Sequence, residues 1–232
     1  MSYVIGVLGG MGTYATIHLF QQYAEVFPAE KEWDRPRIII DNRCTMPSRV
    51  RAILYGENVD QLVNEMADSM RILLDAGASR ILLACNTSHL FLPRIYERVP
   101  ELEGKVIHII DTCVNQIVKD GIKKIYLLGS EGTIDSHIYQ DALKSQDVEC
   151  LCPEKKEYSM LRDCIEAVKQ NLYSDEIEAI FLQLINRYDA CILGCTELPI
   201  LYEKYKNEIK CTHIYDPLYL GLLQSKKEYD DE

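Results

Sequence analysis

The sequence predicts an α/β protein of two pseudo-symmetric lobes, each a parallel four-stranded sheet flanked by helices, with a site in the cleft between them. Three observations carry that expectation. Short β-branched and aliphatic runs alternate with amphipathic stretches along all 232 residues. Several runs are apolar at every position, as strands covered by helices on both faces require. Three short motifs also recur, in the same order, in the two halves of the chain.

The strand candidates are 4–8, 37–41, 81–85 and 106–110 in the first half, and 124–128, 148–151, 190–195 and 212–215 in the second. Between the first set, Val59, Leu62, Val63, Met66, Met70, Leu73 and Leu74 recur at three- and four-residue steps, an amphipathic helix that Gly77 stops. Segments 13–26, 88–98, 136–144 and 159–187, the last interrupted near Ser174, read the same way. Ligands of such folds sit at the carboxyl ends of strands.

The recurrences are specific. Leu8-Gly-Gly-Met-Gly-Thr13 returns as Leu128-Gly-Ser-Glu-Gly-Thr133, Ile81-Leu-Leu-Ala-Cys85 as Cys191-Ile-Leu-Gly-Cys195, and His108-Ile-Ile-Asp111 as His213-Ile-Tyr-Asp216. Ordered self-similarity of this kind is the mark of a duplicated unit. The expected lobes are 1–110 with 217–232, and 111–216, with helices at 110–118 and 217–224 crossing between them. Each lobe then presents one strand-terminal cysteine to the cleft.

Composition narrows the partners. A formal net charge of −11 works against nucleic acid, whose binding rests on lysine and arginine displacing counterions. No apolar run reaches the length of a membrane span and no leader pattern is visible, so the expected setting is the cytoplasm without a membrane partner. Nine cysteines, an odd number, fit reduced thiols. No C-x-x-C pair occurs, so neither a zinc site nor any other metal site is expected.

Cys85 ends its strand in Ala84-Cys-Asn-Thr-Ser-His89, and Cys195 ends its strand in Gly194-Cys-Thr-Glu-Leu-Pro199. A thiol beside a helix amino-terminus is expected to have a lowered pKa. Asn86, Thr87, Thr196 and Glu197 place hydrogen-bonding groups beside the two sulfurs, and the loop amides of 10–13 and 130–133 add anion-binding donors. Two acid/base thiols flanking an anion pocket suit one reaction well. One thiolate removes a proton from a carbon α to a carboxylate, and the opposite thiol delivers a proton to the other face. No lysine is placed for a pyridoxal Schiff base, so no cofactor is expected.

The opening turn offers a rival. Gly10, Gly12 and Ala15 fit the spacing of a dinucleotide site. Such a site needs an acid about twenty residues further on. Asp41 lies about thirty residues beyond the glycines, and a dinucleotide does not explain why the turn recurs at 128–133. A symmetric carboxylate cleft does.

At the motifs GGMG (9–12), ACNTSH (84–89), LLGSEGT (127–133) and GCTELP (194–199), the sequence resembles the aspartate/glutamate racemase superfamily, aspartate racemase branch. Glutamate racemases open with an aspartate-serine-glycine turn and carry histidine where this chain has Glu197. The resemblance implies racemisation of an acidic amino acid independent of pyridoxal phosphate, with Cys85 and Cys195 as the two bases, and a homodimer. It implies that Met11 and Gly12 line the substrate carboxylate, and that Asn86 and Thr87 bind it, mirrored by Ser130, Thr133 and Thr196. Arg49, in a loop after the second strand, matches the arginine that grips the side-chain carboxylate. Thr13 and Ser48 replace a family proline and aspartate. The family's second cation, a lysine expected at a helix start near Ser159 or Met160, has no match there; Lys155 and Lys156 fall several residues early. Aspartate is thus the expected substrate, with glutamate or a broader range next. Hydantoin racemase and maleate isomerase chemistry, or a non-catalytic sensor, are the other readings.

Overall fold

A computed structural model describes residues 3–231, so residues 1, 2 and 232 of the expected lobes lie outside it. Strand β1 (Val4–Gly9) is buried along its whole length and centres a three-stranded parallel sheet between β2 (Arg37–Asn42) and β3 (Arg80–Leu83). The second sheet is also parallel, in the order β5 (Glu149–Leu151), β4 (Lys124–Gly129), β6 (Ala190–Gly194), β7 (His213–Tyr215). Register brings the carboxyl ends level: Leu8 pairs with Leu83 in the first sheet, and Gly129 with Gly194 in the second.

The helices are α1 (Thr13–Val26), α2 (Arg49–Tyr55), α3 (Val59–Asp75), α4 (Leu92–Tyr96), α5 (Ile109–Lys119), α6 (Glu131–Asp135), α7 (Ile138–Lys144), α8 (Tyr158–Gln170), α9 (Asp175–Ile185), α10 (Leu198–Tyr205) and α11 (Pro217–Asp230). Most fall where the apolar spacing puts them; α2, α6 and α10 are additional. The interruption near Ser174 is a full break. Asn171 ends α8 in the left-handed region, and the Ser174 hydroxyl caps α9 by accepting from the Ile177 amide at 3.3 Å.

The first sheet departs from the expected four strands. Segment 106–110 is reduced to one parallel bridge, Ile81 to Val106, because α5 starts at Ile109 with the His108 side chain as its cap. The repeated HI-x-D motif is used three residues out of step. In the second copy Asp216 is the cap, accepting from the Leu218 and Tyr219 amides, and Pro217 opens the helix. A proline bars the residue before it from helical geometry, so β7 runs on to Tyr215. Thr112 stands at the equivalent place in the first copy and sets no such limit.

One apolar core runs through both lobes, from Ile5 and Val7 through Leu82 and Ile109 to Leu127 and Leu193. A second, of Leu62, Met66, Met70 and Leu73, packs α3 on the other face of the first sheet. Helix α11 lies on α1, α5 and β3, and the approach is close. A Cβ at Gly221 would come within 2.9 Å of both Ile109 and Leu82. Among the described residues no helix is long and apolar enough to cross a membrane, and no group of three His, Cys, Asp or Glu side chains is placed to hold a metal.

Candidate active site

Beyond β3 the chain turns at Cys85, and beyond β6 at Cys195. The two turns touch: the Thr196 hydroxyl donates to the Ala84 carbonyl at 3.4 Å. Between them lies a cavity of about 80 Å3 onto which both thiols open. Met11, Arg49, Asn86, Thr87, Ser130, Thr133, Thr196 and Glu197 line it too. Gly12 does not. It backs Glu197 instead, and a Cβ there would run into Oε1 of that carboxylate. Gly10 has φ +78°, and a Cβ there would run into the Arg43 backbone. The glycines of the opening turn are thus fixed by protein groups pressed against them, which removes the reason to read the turn as a dinucleotide cradle.

Each sulfur is partnered two residues on. Cys85 Sγ shares a hydrogen bond with Thr87 Oγ1 at 3.2 Å, and Cys195 Sγ donates to Glu197 Oε2 at 2.9 Å. The pseudo-symmetry therefore holds in position and fails in charge. Burial, then the Glu197 charge, push the Cys195 thiol well above its ordinary value. The expected lowering by a helix amino-terminus does not prevail at this residue. Burial likewise raises the Glu197 carboxyl, against the opposing pull of Cys195, Lys169 and Arg49.

Surrounding groups hold these residues in place. The Tyr139 hydroxyl donates to Asn86 Oδ1, and the buried His89 ring places Nδ1 at 3.1 Å from the Cys85 carbonyl and 3.2 Å from that of Asn86. Burial drives the His89 pKa down to about 3, so the ring is neutral and donates from Nδ1. Arg49 gives two guanidinium donors to the Pro47 and Met11 carbonyls, at 3.2 and 2.9 Å. It is the first residue of α2 and not part of a loop; the Ser48 hydroxyl caps that helix by accepting from the Arg51 amide. The Thr133 amide is committed to Ser130 Oγ, so it is not free for an anion.

Three buried polar atoms here have no protein partner: Asn86 Nδ2, Arg49 Nε and Glu197 Oε1. A buried donor or acceptor left unmade costs about 1–3 kcal/mol. Two donors and one acceptor around a pair of thiols match the carboxylate and ammonium of an amino acid.

A further cation reaches the cavity, Lys169 from the last turn of α8. Burial pulls its ammonium down, but Glu166, bonded to Nζ at 2.9 Å, and the Glu197 and Cys195 charges outweigh it and raise the pKa. No lysine stands near Ser159 or Met160; the one α8 brings to the cavity, Lys169, lies at the far end of that helix. Ile165 and Lys169, four residues apart, share the cavity-facing side, and that spacing was the available signal. Lys156 instead pairs with Glu154 at the surface.

Two parallel sheets facing across this cavity make the chain a two-lobed α/β protein with its site between the lobes. It belongs to the Asp/Glu/Hydantoin racemase family, whose sequence profile matches residues 8–221. It is 26% identical to the broad specificity amino-acid racemase of Bacillus subtilis, over 89% of this chain and 90% of that one. It is 26% identical to the glutamate racemase of Aquifex aeolicus over 70% of this chain, a match that spans 63% of that relative. The aspartate racemase of Picrophilus torridus superposes with a TM-score of 0.79 at 26% identity, over 98% of both chains.

Proposed function

We propose that this chain racemises an acidic amino acid, aspartate foremost, by a two-base mechanism without pyridoxal phosphate. The observation that carries the reading is that Cys85 and Cys195, from opposite lobes, open onto one small cavity whose Asn86 and Arg49 donors lack partners. The α-carboxylate binds among Asn86, Thr87 and the Ser130–Thr133 turn, and the side-chain carboxylate meets Arg49 and Lys169. One thiolate takes the Cα proton, leaving a carbanion whose charge spreads into the carboxylate and is met by those donors. The opposite thiol then gives its own proton to the other face. Cys195, kept protonated by burial and by Glu197, is the acid when the α-hydrogen faces Cys85.

The same reading assigns 1–110 with 217–232 to one lobe and 111–216 to the other; α11 packs on α1 and β3 of the first lobe and also on α5, which crosses between the two. It includes a homodimer, supported by the exposed apolar stripe of Tyr14, Ile17 and Phe20 on α1, which sedimentation would test.

The test is incubation with D- or L-aspartate in deuterium oxide, following α-hydrogen exchange and chirality together. Wild type should exchange and invert both enantiomers. Cys85→Ser and Cys195→Ser should each lose inversion by about a thousandfold or more, as expected of an acid/base group acting in the transition state. Exchange without inversion in wild type would indicate a one-sided site, and the absence of both would favour a sensor.

A further inference from the structure

A cavity of about 1060 Å3, far larger than that at the thiols and sharing no residue with it, lies along α1. His18, Gln22 and Glu25 line it from α1, and Ile200, Tyr202 and Glu203 from α10. The end of α5, strand β7 and the start of α11 complete the wall. The charge there has one sign. Four carboxylates line the cavity, Glu25, Asp120, Glu203 and Asp216, and no lysine or arginine does. Among the described residues only Glu203 of the four has a cation partner, Lys206 at 3.1 Å. Asp120 and Asp216 are met by neutral donors, the Tyr215 hydroxyl at 3.0 Å and the Gln22 amide at 2.7 Å, which leave their charge uncompensated.

Two buried polar atoms on the α1 wall have no protein partner, His18 Nε2 and Gln22 Oε1. Gln22 is only 8% exposed, and its Nε2 is committed to Asp216, so its carbonyl oxygen is an acceptor in want of a donor. Buried polar groups are as a rule hydrogen-bonded, so this orphan points to a ligand that donates. The carboxylates are also spread out: among the described residues no three His, Cys, Asp or Glu side chains are placed to hold a metal.

We infer that this cavity binds a linear aliphatic polyamine. Ammonium groups separated by methylenes match dispersed carboxylates, whereas a divalent cation needs oxygens converging on one point. The methylenes lie against Ile200, Leu220 and Leu223, and the Tyr202 and Tyr219 rings offer cation–π faces. An N–H of the ligand supplies the donor that Gln22 Oε1 lacks.

Spermidine titrated calorimetrically into the full chain at about 0.15 M salt, where loose surface pairing is screened, tests this. The expected result is one saturable site per chain, with no competition from magnesium chloride and no binding of 1,8-octanediol. Leu223→Trp, at a residue 40% exposed, fills the cavity without changing the charge and should weaken binding about tenfold or more. Glu25→Gln with Glu203→Gln should weaken it by a similar factor. Affinity unchanged in a folded Leu223→Trp protein would mean diffuse counterion pairing with an acidic chain and would overturn the inference. Displacement of spermidine by magnesium would do the same, and so would an absence of binding, as when a second copy of the chain covers the cavity. Because none of these residues lines the thiol cavity, α-hydrogen exchange should be unchanged in every variant, and failure here leaves the racemase reading standing.

Discussion

At the scale of single residues, the charge beside Cys195 separates the two thiols. Cys85 leans on a hydroxyl and Cys195 on a carboxylate, so only Cys195 must form its thiolate against a neighbouring negative charge. Glu197→Gln keeps the shape and removes the charge. Since that charge raises the Cys195 pKa, its loss should lower it, and alkylation of Cys195 by iodoacetamide should set in about one pH unit earlier. Peptide mass spectrometry across a pH series reads this directly; an onset unmoved from wild type would mean that burial alone sets the thiol. The residues flanking the thiols were legible because a duplicated unit marks them twice. Glu197 was among them, but that it rather than the adjacent Thr196 takes the sulfur was not legible, because only the side-chain direction decides between the two.

At the scale of elements, α8 carries Ile165 and Lys169 into the site. The 3-10 turn 155–157 that leads into it is closed by a capping box: Glu157 accepts from the Glu154 amide at 2.9 Å and forms a two-pronged pair with Arg187. Arg187 holds the Glu157 pKa down to about 2. A carboxyl whose folded pKa lies below its ordinary value stabilises the fold when ionised. That contribution is complete above about pH 4.5 and is lost as pH falls toward about 2. Glu157→Gln should therefore cost about 1–2 kcal/mol at pH 7, and progressively less in acid. Urea melts at pH 7 and pH 3 measure the difference; an equal loss at both would assign the effect to packing. Elements with an apolar rhythm, such as α3 and the broken α8–α9 pair, were readable from sequence. Helix α2 was not, since its Arg49-Val-Arg-Ala-Ile stretch follows a proline and reads as loop until the Ser48 cap is seen. The missing fourth strand was hidden for another reason: the motif is the same in both halves, and one proline decides which residue caps the helix.

At the scale of the whole molecule, a chain that is only nearly symmetric surrounds a reaction that is wholly so. Enantiomers have equal free energy, so the equilibrium constant of racemisation is one, and kcat/KM must be equal in the two directions whatever the protein does. The unequal partners of Cys85 and Cys195 can then appear only as kcat and KM shifted together. In the direction that uses Cys195 as base, the thiolate forms beside Glu197, which disfavours that form of the enzyme. Wild type should show kcat values for D- and L-aspartate that differ by up to about tenfold, the effect of one pKa unit, with KM differing by the same factor. Removing the charge in Glu197→Gln should bring both ratios closer to one, while kcat/KM stays equal for the two enantiomers. Initial rates in each direction, followed by chiral chromatography, supply all four constants. Ratios identical in wild type and Glu197→Gln would show that the charge beside Cys195 has no bearing on turnover, and the asymmetry would have to be sought in the lobes themselves.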